Sequence, residues 1–314
     1  MRGAGVGCGV LLPSFDPARP AGPPPVVRAA RLAEELGFES LWVGDHLGHA
    51  ASGLDAPACM AASAAVTERI ALGSSAMALG QRNPAWTAKQ LISIDLLAGG
   101  GRLRLGVGVG GPPPTDGRVA VSEDDARLDD ALAVIGDLLT GQAVDYDGHA
   151  LSVHAPALAP TLPSAPPVYI SGHDDPALRR AARFGDVWMP MWLGPPQLAE
   201  RSQLLEEMAR EQGRPMPGLA AAIGVRIDDD RDHACAAARA QRARGFGVGP
   251  GAVEPGTVLD SIDGAVERLH RFVEVGVSEL VLIALGQDPL QQYERLAEVR
   301  ARLHSAAAAS GTAT

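Results

Sequence analysis

The sequence is short of lysine, of paired cysteines, of long apolar runs and of positive charge, and each shortage removes a class of protein. Lys89 is the single lysine; every other basic residue is arginine. Together with heavy use of Ala, Gly and Pro, that skew reads as a genomic bias in composition and not as a binding patch. The 27 basic residues are outnumbered by 37 acidic ones, for a net charge of −10, so neither nucleic acid nor a membrane surface is expected as a partner. Cys8, Cys59 and Cys235 are odd in number and far apart, with no C-x-x-C pair. They read as free thiols in a reducing compartment, and the expected location is cytoplasmic. No apolar run approaches the roughly 18 residues of a membrane-spanning helix. The apolar opening has no basic region before it and breaks at Pro13, which suits a first strand better than a signal peptide. No internal repeat is visible.

What is present is 314 residues, 46% of them hydrophobic, enough for two ordinary domains or one large α/β barrel with extensions. Short apolar runs alternate with helical patterns along the whole chain. Strands are predicted at 6–12, 40–43, 69–73, 103–107, 167–171, 186–189, 219–227 and 279–285. Helices are predicted at 26–36, 54–66, 84–97, 122–139, 176–184, 195–213, 232–244, 261–275 and 289–304. Pro84 suits the start of its helix, where a missing N–H goes unnoticed, and Ser122 suits an N-cap followed by an acidic first turn. Residues 142–166 break the pattern with a small hairpin turning at Asp147-Gly148 and a Pro-rich linker. A Gly/Pro-rich loop is expected over 245–257. Eight short strands alternating with helices favour a single-domain (β/α)8 TIM barrel over 1–305, with 306–314 a disordered tail, above a doubly wound open sheet.

Candidate chemistry gathers at the carboxyl ends of the predicted strands. Strand 40–43 runs into Gly44 and then Asp45-His46, an acid and an imidazole held where parallel α/β proteins keep reactive groups. With His49 the spacing is D-H-x-x-H, which admits a metal. The other strand ends offer Pro13, Ser75, Gly108, Ser171 and Pro190, which are poor ligands, and no metal is expected. The bland alternative makes Asp45 a turn cap and His46 a satisfied core residue. The favoured reading is a catalytic or cofactor-contacting pair, His46 trading a proton near neutral pH.

The run 106–111 fits G-x-G-x-x-G, but Pro112, Pro113 and Pro114 follow at once and prevent the helix that a dinucleotide fingerprint requires. Bare backbone at Gly108, Val109 and Gly110 instead lets a flat ligand come close. Ser171-Gly172-His173 precedes a helix and reads as an anion site, or as ordinary N-capping by Asp174 or Asp175; the two are compatible. Trp188, Met191 and Trp192 either wall a ring-binding pocket or pack the barrel end.

The succession ELGFESLWVGDHL, TERIALGSS, RNPAWTAKQLISIDLLAGGGRLRLGVGVG, VYISG with ALRRAARFGDVWMP, and AVERLHRFVEVGVSELVL resembles the luciferase-like flavin and deazaflavin oxidoreductases, in order, over roughly residues 5–300. The resemblance implies a flavin or the deazaflavin coenzyme F420 lying across the strand ends. It aligns Asp45 and His46 with the acid–imidazole pair that meets the cofactor ring and the reacting centre. Ser75-Ala76 falls where many relatives have a non-prolyl cis peptide, 108–110 at the turn beside the cofactor, and Ser171, Gly172 and His173 at the segment holding its phosphate.

Gly111 stands where some deazaflavin sugar dehydrogenases have Glu, and Ala50 where they have Trp, so their substrate is not expected here. The segment after strand 103–107 is short where relatives often have a lid. The Gly-Asp-His-Leu wording looks more like F420 users than FMN monooxygenases. The expected activity is therefore F420-dependent hydride transfer to or from a small organic substrate. The alternatives are an FMN monooxygenase fed by a separate flavin or F420 reductase, a metal-dependent hydrolase, and a non-catalytic cofactor binder. Relatives often form homodimers, and a homodimer is expected.

Overall fold

A computed structural model describes residues 6–14, 25–46, 53–110, 121–245 and 255–311. Eight parallel strands form its closed barrel: β1 (Gly7–Leu11), β2 (Ser40–Val43), β3 (Ala71–Ser74), β4 (Leu103–Val107), β7 (Val168–Ile170), β8 (Val187–Trp188), β9 (Gly218–Ile227) and β11 (Glu279–Ala284). Each pairs with the next in chain order, and the ring closes through Gly7↔Glu279 to Val10↔Leu282 between β1 and β11. The helices around it are α1 (Val26–Glu35), α2 (Ala56–Ala64), α3 (Pro84–Leu97), α4 (Val121–Leu139), α5 (Asp175–Phe184), α6 (Pro195–Glu211), α7 (Arg231–Gly245), α8 (Ile262–Glu274) and α9 (Pro289–Gly311). No helix among the described residues is long and apolar enough to cross a membrane.

Local sequence explains where the helices begin. Asp55, Asn83, Asp174 and Ser261 each accept a backbone N–H in the first turn of the following helix, which satisfies a donor that would otherwise be orphaned. The strands are buried on both faces and so read as near-continuous apolar runs. Along β9, Leu219, Ala221, Ile223, Val225 and Ile227 pack outward in the core between sheet and helices. Ala220 and Ala222 join Trp42, Tyr169, Val281 and Ile283 in the inner core.

The floor of the barrel is polar but fully paired. Glu279 accepts from Ser40 Oγ at 2.7 Å, Arg104 Nη1 at 2.6 Å and Tyr169 Oη at 2.9 Å, and Trp42 Nε1 donates to Ser40 Oγ at 2.8 Å. Trp42 fills the axis because its neighbours give way: a Cβ on Gly73 would lie 2.4 Å from the Trp42 ring.

Two stretches depart from the sequence pattern. The hairpin is present as β5 (Val144–Asp147) and β6 (Ser152–Ala155), outside the barrel. Asp130 of α4 anchors it by accepting from the Ala150 N–H, the Leu151 N–H and Tyr146 Oη at 2.6, 2.9 and 2.9 Å. Residues 257–260, which the pattern left between a loop and a helix, form a further parallel strand, β10 (Thr257–Asp260). It pairs with the upper half of β9 from Thr257↔Gly224 to Asp260↔Ile227, on the edge that β8 occupies lower down. The final helix continues to Gly311, beyond the end near His304 that the pattern indicated.

Candidate active site at the carboxyl rim

The rim is stitched together strand by strand. The Ser75 N–H donates to the Val43 carbonyl at 2.7 Å, the Met77 N–H to Gly106 at 2.8 Å, the Gly108 N–H to Met77 at 3.1 Å and the Ser171 N–H to Val107 at 2.8 Å. These bonds place Asp45, Ser75, Ala76, 108–110 and 171–173 along one continuous arc, from the end of β2 to the start of α5. The Ser75-Ala76 peptide is cis, at the position the resemblance indicated.

Asp45 and His46 are adjacent but unlike. Asp45 is 4% exposed and both its oxygens are engaged. Oδ2 accepts from the Ala78 N–H at 3.2 Å and from Arg82 Nε at 3.0 Å, and Oδ1 accepts from Arg82 Nη2 at 2.7 Å. Arg82 Nη2 also reaches Asp55 Oδ1 at 2.7 Å. So one guanidinium ties the end of β2, the turn after β3 and the cap of α2 together. Burial alone would lower the Arg82 pKa, but its bonds to Asp45 and Asp55 hold it above the usual value. Both Asp45 oxygens are thus engaged, by a cation and a backbone N–H, and the carboxylate holds the strand end to the turn after β3. His46, by contrast, is exposed at the rim.

The rim at the ends of β3, β4 and β7 is lined by small residues. A Cβ on Gly108 would sit 3.3 Å from Ala76 Cβ and 3.6 Å from Ser171 Cβ, so these three residues touch across the ends of β3, β4 and β7. Ser75 Oγ, next to Ala76 in the chain, is buried with no hydrogen-bond partner, a donor and acceptor still to be satisfied. Gln81 Nε2 donates to the Val109 carbonyl at 3.4 Å and underlies Gly110.

The 171–173 segment is built for close approach. Gly172 has φ +104°, a conformation that disfavours any side chain, and a Cβ there would meet Ala177 of α5 at 2.8 Å. Asp174 provides the cap, accepting from the Ala177 N–H at 3.0 Å. Two side chains hold the segment from behind. Trp188 Nε1 donates to the Gly172 carbonyl at 2.8 Å, and Arg201 Nη2 donates to the His173 carbonyl at 2.6 Å and to Asp175 Oδ1 at 2.8 Å. Trp188 is fully buried and packs in the outer core. Trp192 does lie in the barrel mouth, in the inner core, at φ +67°.

Of the other expected positions, His49, Ala50, Gly111 and 112–114 lie outside the described residues. Among the described residues, one group could approach a metal ion, Cys8, Glu39 and His304. It lies at the amino end of the barrel, where Glu39 is bound by Arg300 and burial, with Glu39 nearby, pushes the Cys8 thiol up to about 12.

The sequence matches the luciferase-like monooxygenase family over residues 8–312. The chain belongs to that family. An F420-dependent glucose-6-phosphate dehydrogenase of Beutenbergia cavernae is 30% identical over 310 residues, spanning 85% of this chain and 89% of its own. A 4-hydroxyprotoasukamycin monooxygenase of Streptomyces nodosus subsp. asukaensis is 30% identical over 243 residues, covering 70% of this chain and 65% of its own. An F420-dependent secondary alcohol dehydrogenase, solved with an F420-acetone adduct, superposes with a TM-score of 0.81 over 95% of this chain and 98% of its own. At 21% identity it shows the shared fold.

This family member is an oxidoreductase, and its relatives include F420-dependent dehydrogenases, a methylenetetrahydromethanopterin reductase and monooxygenases. Sequence reasoning located the arc but missed what braces it. Arg82 and Arg201 carry no local signal, since each acts on a loop distant in sequence.

Proposed function

We propose that the chain is an F420-dependent oxidoreductase acting on a small organic substrate at the carboxyl rim of the barrel. The observation that carries this reading is an exposed imidazole, His46, on the same rim as a floor of small residues, Gly108, Ala76 and Ser171, with the unpartnered Ser75 Oγ next to it in the chain. A planar ring would fit over such small residues, and Ser75 Oγ would be available to hydrogen-bond it. The similarity to the Beutenbergia dehydrogenase, over most of both chains, supports the deazaflavin over FMN.

When bound, the deazaflavin accepts or donates hydride and, unlike a flavin, reacts little with oxygen. The remaining work belongs to the protein. Gly108, with Ala76 and Ser171 beside it, bounds the approach to the ring, and 171–173 receives the phosphate at the start of α5. Holding both reactants face to face is worth up to about 7–11 kcal/mol of the barrier. His46 supplies or removes the accompanying proton at Nδ1 or Nε2. Asp45 and Arg82 fix the strand end that carries it.

The similarity to the Streptomyces monooxygenase gives a second reading, an FMN enzyme supplied by a separate reductase. One experiment separates them. The protein is mixed with F420 and with FMN, free ligand is removed, and the retained absorbance is recorded. Retention of F420 is expected; retention of FMN alone reverses the choice. The His46→Ala variant should keep the cofactor and lose about a hundredfold or more in turnover. Unchanged turnover would remove His46 from the mechanism.

A further inference from the structure

The β9 strand ends in a cation that nothing in the fold fully uses. Residues 220 and 222 of β9 face the barrel interior, and a Cβ on Gly224 would meet the Trp192 ring at 2.6 Å. The same alternation brings Arg226 to the inner side of the rim. Its partner across the β10 ladder, Leu259, packs against the same inner core. The guanidinium lies over Gly286, just past β11, where a Cβ would be 2.5 Å from Nη1. Arg226 therefore stands at the barrel mouth, separated from Ser171 by the segment that carries Trp192.

Its hydrogen bonding is incomplete. Nε is buried and has no partner. Nη1 reaches the Leu285 carbonyl and Nη2 reaches Asp228 Oδ2, each at 3.4 Å. The side chain is only 12% exposed. Asp228 itself is closer to His233, at 2.7 Å. Arg201 shares the unpartnered Nε but grips its acceptors at 2.6 and 2.8 Å, and two further structural arginines are bound as closely. Arg102 binds Ile70 through Nε at 2.9 Å and Thr67 Oγ1 through Nη2 at 2.6 Å, and Arg180 holds Asp129 and Asp125 at 2.5 and 2.7 Å. A permanently charged fork with a free donor in a buried position is costly unless an acceptor arrives. The fork matches two oxygens of a carboxylate or phosphate.

We propose that Arg226 binds substrate and that the substrate carries an oxyanion, a carboxylate or a phosphate, held at the mouth of the barrel opposite the cofactor arc. This deepens the reading of the rim as a cofactor and substrate site, and rests on it for the identity of the ligand as substrate.

The test is calorimetric titration of the full chain at fixed ionic strength with inorganic phosphate, benzoate and the neutral benzamide. One anion should bind at least about tenfold more tightly than benzamide, and which one it is identifies the group. The Arg226→Gln variant should lose about tenfold in that affinity while Arg226→Lys retains part of it. The loss in Arg226→Gln also separates this site from the 171–173 segment. Asp228→Asn, which removes the competing carboxylate, should bind the anion more tightly.

Anion binding that is equal in wild type and Arg226→Gln, or no preference over benzamide, overturns the proposal. If Arg226→Gln does not fold, an unchanged affinity in Asp228→Asn overturns it. Cofactor retention is measured on the same preparations. Arg226-dependent anion binding without F420 or FMN retention would remove the redox reading and leave the anion site standing. Cofactor retention without anion selectivity would do the reverse.

Discussion

Asp45 and Gly108 show how single residues set the chemistry of the rim. Removing Arg82 leaves the Asp45 carboxylate buried beside an unopposed turn. Arg82→Ala should therefore destabilise the fold by about 3 kcal/mol, with Arg82→Lys recovering part, as read by denaturant unfolding. Gly108 has ordinary backbone angles, so a side chain there disturbs space and not conformation. Gly108→Val should keep its Tm within a few degrees yet retain cofactor about tenfold less well, because the branched group rises between Ala76 and Ser171. The thiols sort by burial. Burial raises Cys8 to about 12 and Cys59 to about 11, the latter with help from Asp55 and Asp45. Only the partly exposed Cys235 should react with a thiol reagent in native protein near pH 8, and all three after unfolding.

At the level of elements, the hairpin and β10 carry the testable differences. Burial by itself would raise the Asp130 carboxyl, but the bonds from the Ala150 N–H, Tyr146 and the neighbouring backbone hold it below the usual carboxylate range. A depressed folded pKa adds stability that is complete above the unfolded value, about 3.9, and fades as pH falls through the folded one. The lead in Tm of wild type over Asp130→Asn should therefore be constant near neutrality and shrink below about pH 4.

The barrel strands were legible because each is an apolar run bounded by Gly, Pro or a cap residue. β10 was not, since the pattern filed Thr257 with a Gly/Pro-rich loop and left the next three residues unassigned; its pairing comes from the exposed edge of an unusually long β9. Gly256, which leads into it, would clash with the Trp192 backbone at 2.2 Å if given a Cβ. Gly256→Ala should accordingly shift tryptophan emission and lower Tm. Asp45 and His46 stood out in the sequence as a pair, but the sequence holds no sign that Arg82 folds back onto the acid.

Taken whole, the molecule has an open end and a sealed one. The seal is the Glu279 cluster with Trp42 above it, every partner satisfied and the axis filled. On the proposed reading, a cofactor and a substrate that share the one unsealed end of the barrel cannot come and go independently. Whichever lies deeper must be first to enter and last to leave. Steady-state kinetics should then show a compulsory sequence of addition, with the spent form of the deeper ligand competing against that ligand alone.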